Sequence, residues 1–208
     1  MTFIIVGITA IVSIIAFNDA KLFSLLIFDP WKIIKKKEWY RMFSHGLLHA
    51  DWTHLAVNMF VLYSFGQGVE LYFKQLELQG MLHYSWLWFL FLYVSSLCVA
   101  SLPTLRKQRN SLSYTAVGAS GAVSAVMATC VFFNPWSKLY FWAMIPIPGI
   151  VFAAAYILYS SYMSKKQSGD NINHDAHLYG MLYGLVFPLL IDPKLFFYFI
   201  SQLADFKF

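Results

Sequence analysis

Charged residues are scarce in this chain. Asp, Glu, Lys and Arg make up 12% of its 208 residues, whereas 59% are hydrophobic and 19% are aromatic. Soluble domains contain about 25% charged residues, so this composition excludes an ordinary soluble domain and predicts an integral membrane protein. The net charge of +5 is carried by short loops beside apolar segments. This placement favours anionic lipid headgroups, not nucleic acid, as the counter-charge.

Cysteine is scarce as well. Cys98 and Cys130 both fall inside apolar segments, where a thiol usually packs as a small hydrophobic group. Their number and spacing indicate neither a disulfide framework nor a metal site. His45 and His49 stand four residues apart, as zinc ligands on a helix do, but no third ligand follows them on that face. We therefore predict no metal and no cofactor, and we interpret these two histidines as surface or access residues.

Six apolar runs have lengths near the one that a bilayer demands. They cover roughly residues 2–17, 52–73, 84–102, 117–133, 139–162 and 176–191. The first run is expected to be retained, because it lacks the basic residues that open a signal peptide. Pro146 and Pro148 should bend the fifth helix or delay its start. The sequence therefore predicts an all-α, polytopic membrane protein with six transmembrane helices in a single domain, residues 1–208.

The long connection between the first two runs, residues 18–51, mixes aromatic, aliphatic and basic side chains. This mixture is typical of a segment that lies in the plane of the lipid headgroups. An ordinary extramembrane loop is the alternative interpretation. We retain the interfacial loop as the prediction.

Three polar residues are predicted to share one depth in the membrane. The second, fourth and sixth helices enter the bilayer from the same side, because two crossings separate each pair. His54, Ser120 and His177 each lie a few residues into one of these helices. Ionisable residues in membrane helices are costly and usually functional. The shared depth therefore favours a common site over three unrelated polar residues.

Small residues form a stripe on each of two predicted helices, spaced by three or four positions. They are Gly121, Ala125 and Ala128 in the fourth helix, and Gly180 and Gly184 in the sixth. Small residues allow two helix backbones to approach closely. If these stripes face each other, Ser120 comes within hydrogen-bond reach of His177. A serine needs such a base because its free hydroxyl is a weak nucleophile.

A second polar pair is suited to stabilise negative charge on a reacting oxygen. His54 and Asn58 are four residues apart, so they share one face of the second helix. Both can donate hydrogen bonds to an oxyanion, together with the backbone N–H of Ser120 at a helix N-terminus. Taken singly, the glycines could serve packing and the polar residues could tie helices together. Their combination favours catalysis.

These residues resemble the motifs of the rhomboid family of intramembrane serine proteases, over about residues 39–190. In that family a Gly-x-Ser-Gly serine opens the fourth helix, a His-x-x-x-Asn pair stands on the second, and Ala-His-x-x-Gly-x-x-x-Gly marks the sixth. A Trp-Arg pair lies in the first loop. The matching stretches here are Trp39-Tyr40-Arg41, His54 with Asn58, Gly118-Ala119-Ser120-Gly121, and Ala176-His177 with Gly180 and Gly184.

The resemblance implies a Ser–His dyad, with Ser120 as nucleophile and His177 as general base. It implies cleavage of transmembrane protein substrates near the membrane boundary. It also implies a multi-pass protein, which we place in a bacterial plasma membrane with lipids as its other partners. Asp175 is not expected to act as a third catalytic residue, because a position two residues before His177 on a helix points elsewhere.

Two residues depart from the family pattern. An aromatic residue commonly stands four positions after the serine and packs on the histidine ring, but Ser124 occupies that position here. We expect Tyr179 or Tyr183 to supply the ring instead. Tyr40 replaces the tryptophan of the loop pair. A rhomboid-like protein that binds membrane clients without cutting them is the principal alternative function, and a small transporter is a weaker one.

The charge distribution opposes the family's orientation, in which the active-site side faces away from the cytoplasm. Eleven of the 15 basic residues fall in the loops on that side, against the positive-inside tendency. They are Lys21, Lys32, Lys35, Lys36, Lys37, Arg41, Arg106, Lys107, Arg109, Lys165 and Lys166. We expect the family's orientation, with these residues at the outer headgroups.

Overall fold

The structure is a computed structural model that describes residues 1–141, 145–166 and 172–206. The fold is mostly helical, as predicted, and the described residues form eleven α-helices, one 3₁₀ turn and one β-hairpin. In chain order these are α1 (Thr2–Asn18), α2 (Ala20–Leu26), α3 (Pro30–Lys35), α4 (Arg41–Ser44), the 3₁₀ turn His45–Leu47, α5 (Trp52–Leu78), α6 (Ser85–Gln108), α7 (Ser120–Phe133), β1 (Lys138–Phe141), β2 (Ile145–Pro148), α8 (Gly149–Lys166), α9 (His174–Val186), α10 (Pro188–Ile191) and α11 (Leu195–Ala204).

Among the described residues, only α6 is both long enough and apolar enough to cross a membrane by itself. Three further helices, α1, α7 and α11, are apolar but shorter. The number of six transmembrane helices therefore stays a prediction.

Helix α7 lies at the centre of the bundle and contacts α5, α6, α8 and α9. All of its 14 residues except Ser120 and Cys130 are buried. At 1.5 Å per residue, α7 is about 21 Å long, which is shorter than the roughly 30 Å of a bilayer's hydrocarbon core. A helix this short can begin below the membrane surface, and that depth stays the prediction for Ser120.

Helices α7 and α9 are in direct backbone contact. A Cβ atom built on Gly180 would lie 2.9 Å from the carbonyl carbon of Gly121 and closer still to its oxygen. The hydroxyl of Thr129 donates a hydrogen bond of 2.8 Å to the Gly184 carbonyl one turn deeper. The two stripes of small residues therefore face each other, and the absence of side chains brings the helix backbones together.

Residues 18–51 fold into three short helices and a 3₁₀ turn instead of an irregular loop. Asp19 and Asp29 cap α2 and α3 by accepting hydrogen bonds from backbone N–H groups. The buried Arg41 guanidinium donates to the carbonyls of Ser24 (3.0 Å) and Ile27 (2.8 Å), and it pairs with a carboxylate of the same segment. Arg41 thus closes the segment on itself, while α3 and α4 contact α6.

The predicted helix over residues 139–162 is wrong in its first part, and the fold is not purely α-helical. An antiparallel hairpin of β1 and β2 precedes α8, with Lys138 paired to Pro148 and Phe141 to Ile145. Proline lacks an N–H and disfavours helix at the preceding residue, so Pro146 and Pro148 delay the helix until Gly149. The apolar run then continues as helix to Lys166, beyond the predicted end.

The last predicted run, 176–191, is divided in two. Helix α9 begins earlier, at His174, because the Asn173 side chain caps it by accepting a hydrogen bond of 3.1 Å from the Ala176 N–H. It ends at Val186, and Pro188 opens the short helix α10 at a position where a missing N–H is tolerated.

Candidate active site

Ser120 is the first residue of α7. The backbone that leads into this helix is held in place by the segment 18–51. Phe28 and Ala116 exchange two backbone hydrogen bonds of 3.0 and 3.1 Å, and the Gly118 N–H donates to the His45 carbonyl at 3.1 Å. No side chain caps α7 at Ala119. The first N–H groups of a helix have no intrahelical partner, so those that open α7 are available to a ligand beside Ser120.

A small cavity of about 20 Å³ lies against this helix end. Four polar residues are among those that line it: His45, Ser101, Ser120 and Asn173. One water molecule needs about 10–15 Å³ of such volume and at least two polar partners. The cavity therefore has the size and polarity to hold a water molecule beside the serine.

His54 lies beside Ser120 because Gly118 has no side chain. A Cβ on Gly118 would lie 2.8 Å from His54 Cε1, 3.1 Å from His54 Nε2 and 3.8 Å from Ser120 Oγ. Gly118 also has a φ of +119°, which other residues rarely adopt. The glycine therefore allows both the turn into α7 and the approach of the imidazole to the serine.

The proton of neutral His54 is expected on Nε2. The backbone N–H of Ala50 donates to His54 Nδ1 at 3.4 Å, which makes that nitrogen the acceptor. Because a neutral imidazole has one donor and one acceptor, Nε2 is then the donor. This is the nitrogen nearer to Gly118, so His54 presents an N–H on the side of Ser120.

Asn58 is buried on α5, one turn after His54. Its side-chain amide donates a hydrogen bond of 2.9 Å to the His54 backbone carbonyl. In the structure this amide therefore contacts its own helix at the base of His54. Its second N–H leaves a donor for a ligand.

His177 lies on the first turns of α9, against the start of α7. A Cβ on Gly121 would lie 3.2 Å from the carbonyl oxygen of Ala176, the residue before His177. The Thr104 hydroxyl donates to the Asn173 side chain at 2.9 Å, so α6 holds the capped end of α9. The structure therefore brings the helix ends that carry Ser120 and His177 together, and His54 lies near Ser120 across Gly118.

Asp175 is turned away from this group. Its carboxylate accepts hydrogen bonds from Lys107 Nζ at 2.7 and 2.8 Å, and a further one from the Ser164 hydroxyl. Asp175 thus joins α6, α8 and α9 at one end of the bundle.

Tyr156 of α8 packs on the His177 ring, and this contact was not predicted from the sequence. The two ring centroids are 5.9 Å apart, with an angle of 26° between the planes. Neither of the two tyrosines named from the sequence fills this position: Tyr179 is 42% exposed, and the Tyr183 hydroxyl donates to Ser95 at 2.8 Å. Tyr156 could not have been selected from its sequence position, because nothing local distinguishes it from the neighbouring aromatic residues of α8.

The interpretation of His45 and His49 as surface residues is wrong, since both side chains are buried. His45 Nε2 lies 3.1 Å from Ser101 Oγ, and His49 Nδ1 lies 2.9 Å from Ser13 Oγ. Both hydroxyls donate to backbone carbonyls, so each histidine nitrogen acts as the donor to its serine. The two rings bind different helices, and the described residues contain no group of three or more potential metal ligands.

These two buried histidines predict acid instability. Burial lowers the pKa of His45 to about 4 and that of His49 to about 3, from the ordinary value of 6.5. Between pH 6.5 and 4 the unfolded chain binds more protons than the folded one, so stability is complete above pH 6.5 and is lost as the pH falls. For His45 alone the loss is on the order of 3 kcal/mol.

Thermal unfolding of the detergent-solubilised protein, measured in steps from pH 7.5 to 4, tests this expectation. The melting temperature should fall across the whole interval from pH 6.5 downwards. The variant His83→Ala, which removes an exposed histidine, should show the same decline. A constant melting temperature between pH 6.5 and 5 would contradict the burial of neutral histidines.

Comparison with known proteins identifies the family. The family profile described as "Rhomboid domain" matches residues 36–194. "Rhomboid-like protein 11, chloroplastic" of Arabidopsis thaliana is 33% identical over 165 residues, which cover 74% of this chain and 53% of that protein. "Putative rhomboid protease YdcA" of Bacillus subtilis (strain 168) is 27% identical over 166 residues, covering 76% of this chain and 69% of the relative.

A third relative, "RHOMBOID-like protein 12, mitochondrial" of Arabidopsis thaliana, is 27% identical over 148 residues, or 68% of this chain and 43% of its own length. The chain thus spans about half the length of the two plant relatives. Rhomboid proteins are membrane-embedded, and they are generally intramembrane serine proteases. Because the domain profile matches most of the sequence, this chain belongs to the rhomboid family.

Proposed function

We propose that this protein is an intramembrane serine endopeptidase that cleaves transmembrane protein substrates near the membrane boundary. Ser120 is the nucleophile and His177 is the general base. The observation that carries the proposal is the backbone contact between Gly121 and Gly180, since it holds the helix ends of the serine and the histidine together.

Catalysis begins when Ser120 Oγ attacks the carbonyl carbon of the scissile peptide bond and passes its proton to His177. The carbonyl oxygen becomes an oxyanion. The open N–H groups at the start of α7 and the N–H on His54 Nε2 stabilise this charge, and Asn58 adds a donor on the same helix face. The imidazolium of His177 then protonates the leaving amine, and the C–N bond breaks to leave an acyl-enzyme on Ser120.

A water molecule completes the reaction. It transfers a proton to His177 as its oxygen attacks the acyl carbon, and His177 returns that proton to Ser120 Oγ when the ester bond breaks. The cavity beside Ser120 has room for this water. Access below the bilayer surface is supported by the short α7 and by the irregular residues 109–119 that precede it, because irregular backbone at membrane depth is tolerated where it lines a cavity.

The proposal places the active-site side at an anionic lipid surface outside the cytoplasm of a bacterial cell. The loops predicted on that side carry the 11 basic residues named above and six acidic ones, a difference of +5 that equals the net charge of the whole chain. The six acidic residues are Asp19, Asp29, Glu38, Asp51, Asp170 and Asp175. Anionic headgroups attract such a surface. The bacterial plasma membrane and the outward orientation stay predictions.

A fluorophosphonate probe tests the dyad directly, because it reacts with an activated serine hydroxyl. The solubilised wild-type protein should be labelled, whereas Ser120→Ala and His177→Ala should not. Ser113→Ala, which removes an exposed serine of the preceding loop, is the matched control and should be labelled like the wild type. Equal labelling of all four proteins would overturn the proposal, and so would an unlabelled wild type under conditions that label another rhomboid protease.

Cleavage of a reporter distinguishes the protease from a client-binding protein. The reporter is a single transmembrane helix with small residues near its end, co-reconstituted in liposomes. Wild type should cut it, and Ser120→Ala should bind it without cutting. Binding by both proteins with no cleavage by either would favour the client-binding alternative.

A further inference from the structure

Helix α8 contacts the turn of α9 that carries His177 through three pairs of side chains. Ser164 binds Asp175, Tyr159 meets the His174 ring edge-on at 5.7 Å, and Tyr156 stacks on His177 at 5.9 Å. This interface includes the catalytic base proposed above.

Tyr156 also has neighbours on α7 and on its own helix. Its hydroxyl lies close to Ser124 of α7. Ser124 is buried, and it lies one helical turn after Ser120. On α8 itself, the Phe152 ring stacks on Tyr156 with centroids 5.8 Å apart and an angle of 12°. The tyrosine ring therefore contacts both Phe152 and His177, and its hydroxyl lies beside Ser124.

We propose that Tyr156, which stacks on His177, is the positioning residue that fixes the imidazole of His177 for proton exchange with Ser120. The role rests on the proposed protease function. A serine at position 124 is too small to form a wall beside the imidazole, and it leaves room for a ring from α8. The ring that packs against His177 thus comes from α8, which carries neither Ser120 nor His177.

Stacking against a ring limits rotation of an imidazole about its χ angles and leaves its nitrogen atoms free to hydrogen-bond. A proton-transfer partner that is displaced by about 1 Å can lose about 10²-fold in rate. Tyr156→Leu should therefore lower kcat on the reporter by about 10²-fold with KM unchanged, because substrate binding does not require the base. Tyr156→Phe retains the ring and should lose no more than about fivefold.

A swap of side chains provides the sharpest test. In the otherwise wild-type protein, Ser124→Phe should abolish activity, because the new phenylalanine ring and the Tyr156 ring would occupy the same space. In a Tyr156→Ala background the same Ser124→Phe change should restore part of kcat, since the ring from α7 then fills the vacated volume. Tyr159→Leu is the matched control: it removes an α8 ring that contacts His174, and kcat should remain near the wild-type value.

A readout without catalysis separates this inference from the proposed function. In the Ser120→Ala protein with ¹³C-labelled histidine, the Cε1–H resonance of His177 should be shifted upfield by the Tyr156 ring. The shift should persist in Tyr156→Phe and disappear in Tyr156→Leu, with His177→Gln identifying the signal. If the shift disappears in Tyr156→Leu as expected but the wild-type protein is inactive, the proposed protease function is refuted and the ring contact is retained.

Two results would overturn the inference itself. One is an upfield shift that persists in Tyr156→Leu, since the ring would then not lie on His177. The other is an active protein in which Tyr156→Leu leaves kcat unchanged, or in which Tyr156→Phe is as damaging as Tyr156→Leu.

Discussion

Gly184→Ala is expected to lower the free energy of unfolding by more than about 3 kcal/mol, beyond the usual cost of overpacking. The added Cβ would lie 2.7 Å from both the Cα and the carbonyl carbon of Ala125, and closer still to the carbonyl oxygen. All three atoms belong to the backbone of α7, so no side-chain rotation relieves the clash. The helices must separate, and the hydrogen bond from Thr129 to the Gly184 carbonyl is then lost.

Gly7→Ala is the matched control for this substitution. Gly7 also lies within a helix, α1, but its Cβ would meet nothing within 4 Å. Alanine is favoured over glycine in helices by about 1 kcal/mol, so this variant should be as stable as the wild type or more so. Thermal unfolding in one detergent measures both variants. Equal melting temperatures for Gly184→Ala and the wild type would show that α7 and α9 do not pack through their backbones.

His54→Ala is expected to reduce kcat on the reporter by about 10²–10³-fold, the usual effect of removing one oxyanion donor. The substitution removes the N–H on Nε2, which lies beside Gly118 and Ser120. KM should change little, because the negative charge on the substrate oxygen develops only in the transition state. A fall in kcat at constant KM is the signature of a group that acts in the transition state.

Two further variants make the His54 prediction specific. His83→Ala removes an exposed histidine outside the site and should leave kcat unchanged. His54→Gln retains an N–H donor and should keep more activity than His54→Ala. Should His54→Ala raise KM while kcat stays constant, His54 would be a substrate-binding residue and not an oxyanion donor.

The helical framework could be predicted from the sequence because it depends on features that are local. The lengths of the apolar runs are sufficient to place α5, α6 and α7 within a few residues. The exact start of α7 at Ser120 was missed by three residues, because the positive φ of Gly118 delays the helix. The hairpin before α8 was not predicted, because its residues belong to one continuous apolar run. Only Pro146 and Pro148 indicated that the run is not helical throughout.

The contacts of the His177 ring could not be predicted, because they join residues far apart in the sequence. Tyr156 meets His177 across 21 positions, and apolar periodicity does not distinguish it from Tyr159. Polarity was also misleading for His45 and His49. A histidine in an irregular segment suggests exposure, yet the serines Ser101 and Ser13 from α6 and α1 provide partners that make burial possible.

The short central helix has a consequence for how the protein assembles. Helix α7 emerges from the ribosome before α8 and α9, yet its 14 residues are fewer than a bilayer span needs, and all of them except Ser120 and Cys130 are buried in the folded protein. Its hydrophobicity alone cannot anchor it in the membrane. We therefore expect α7 to remain poorly inserted in the bilayer until α9 has been synthesised and its glycines pack against α7. We therefore expect nascent chains released before residue 184 to leave α7 accessible to water-soluble thiol reagents at Cys130, and chains released after Val186 to protect it.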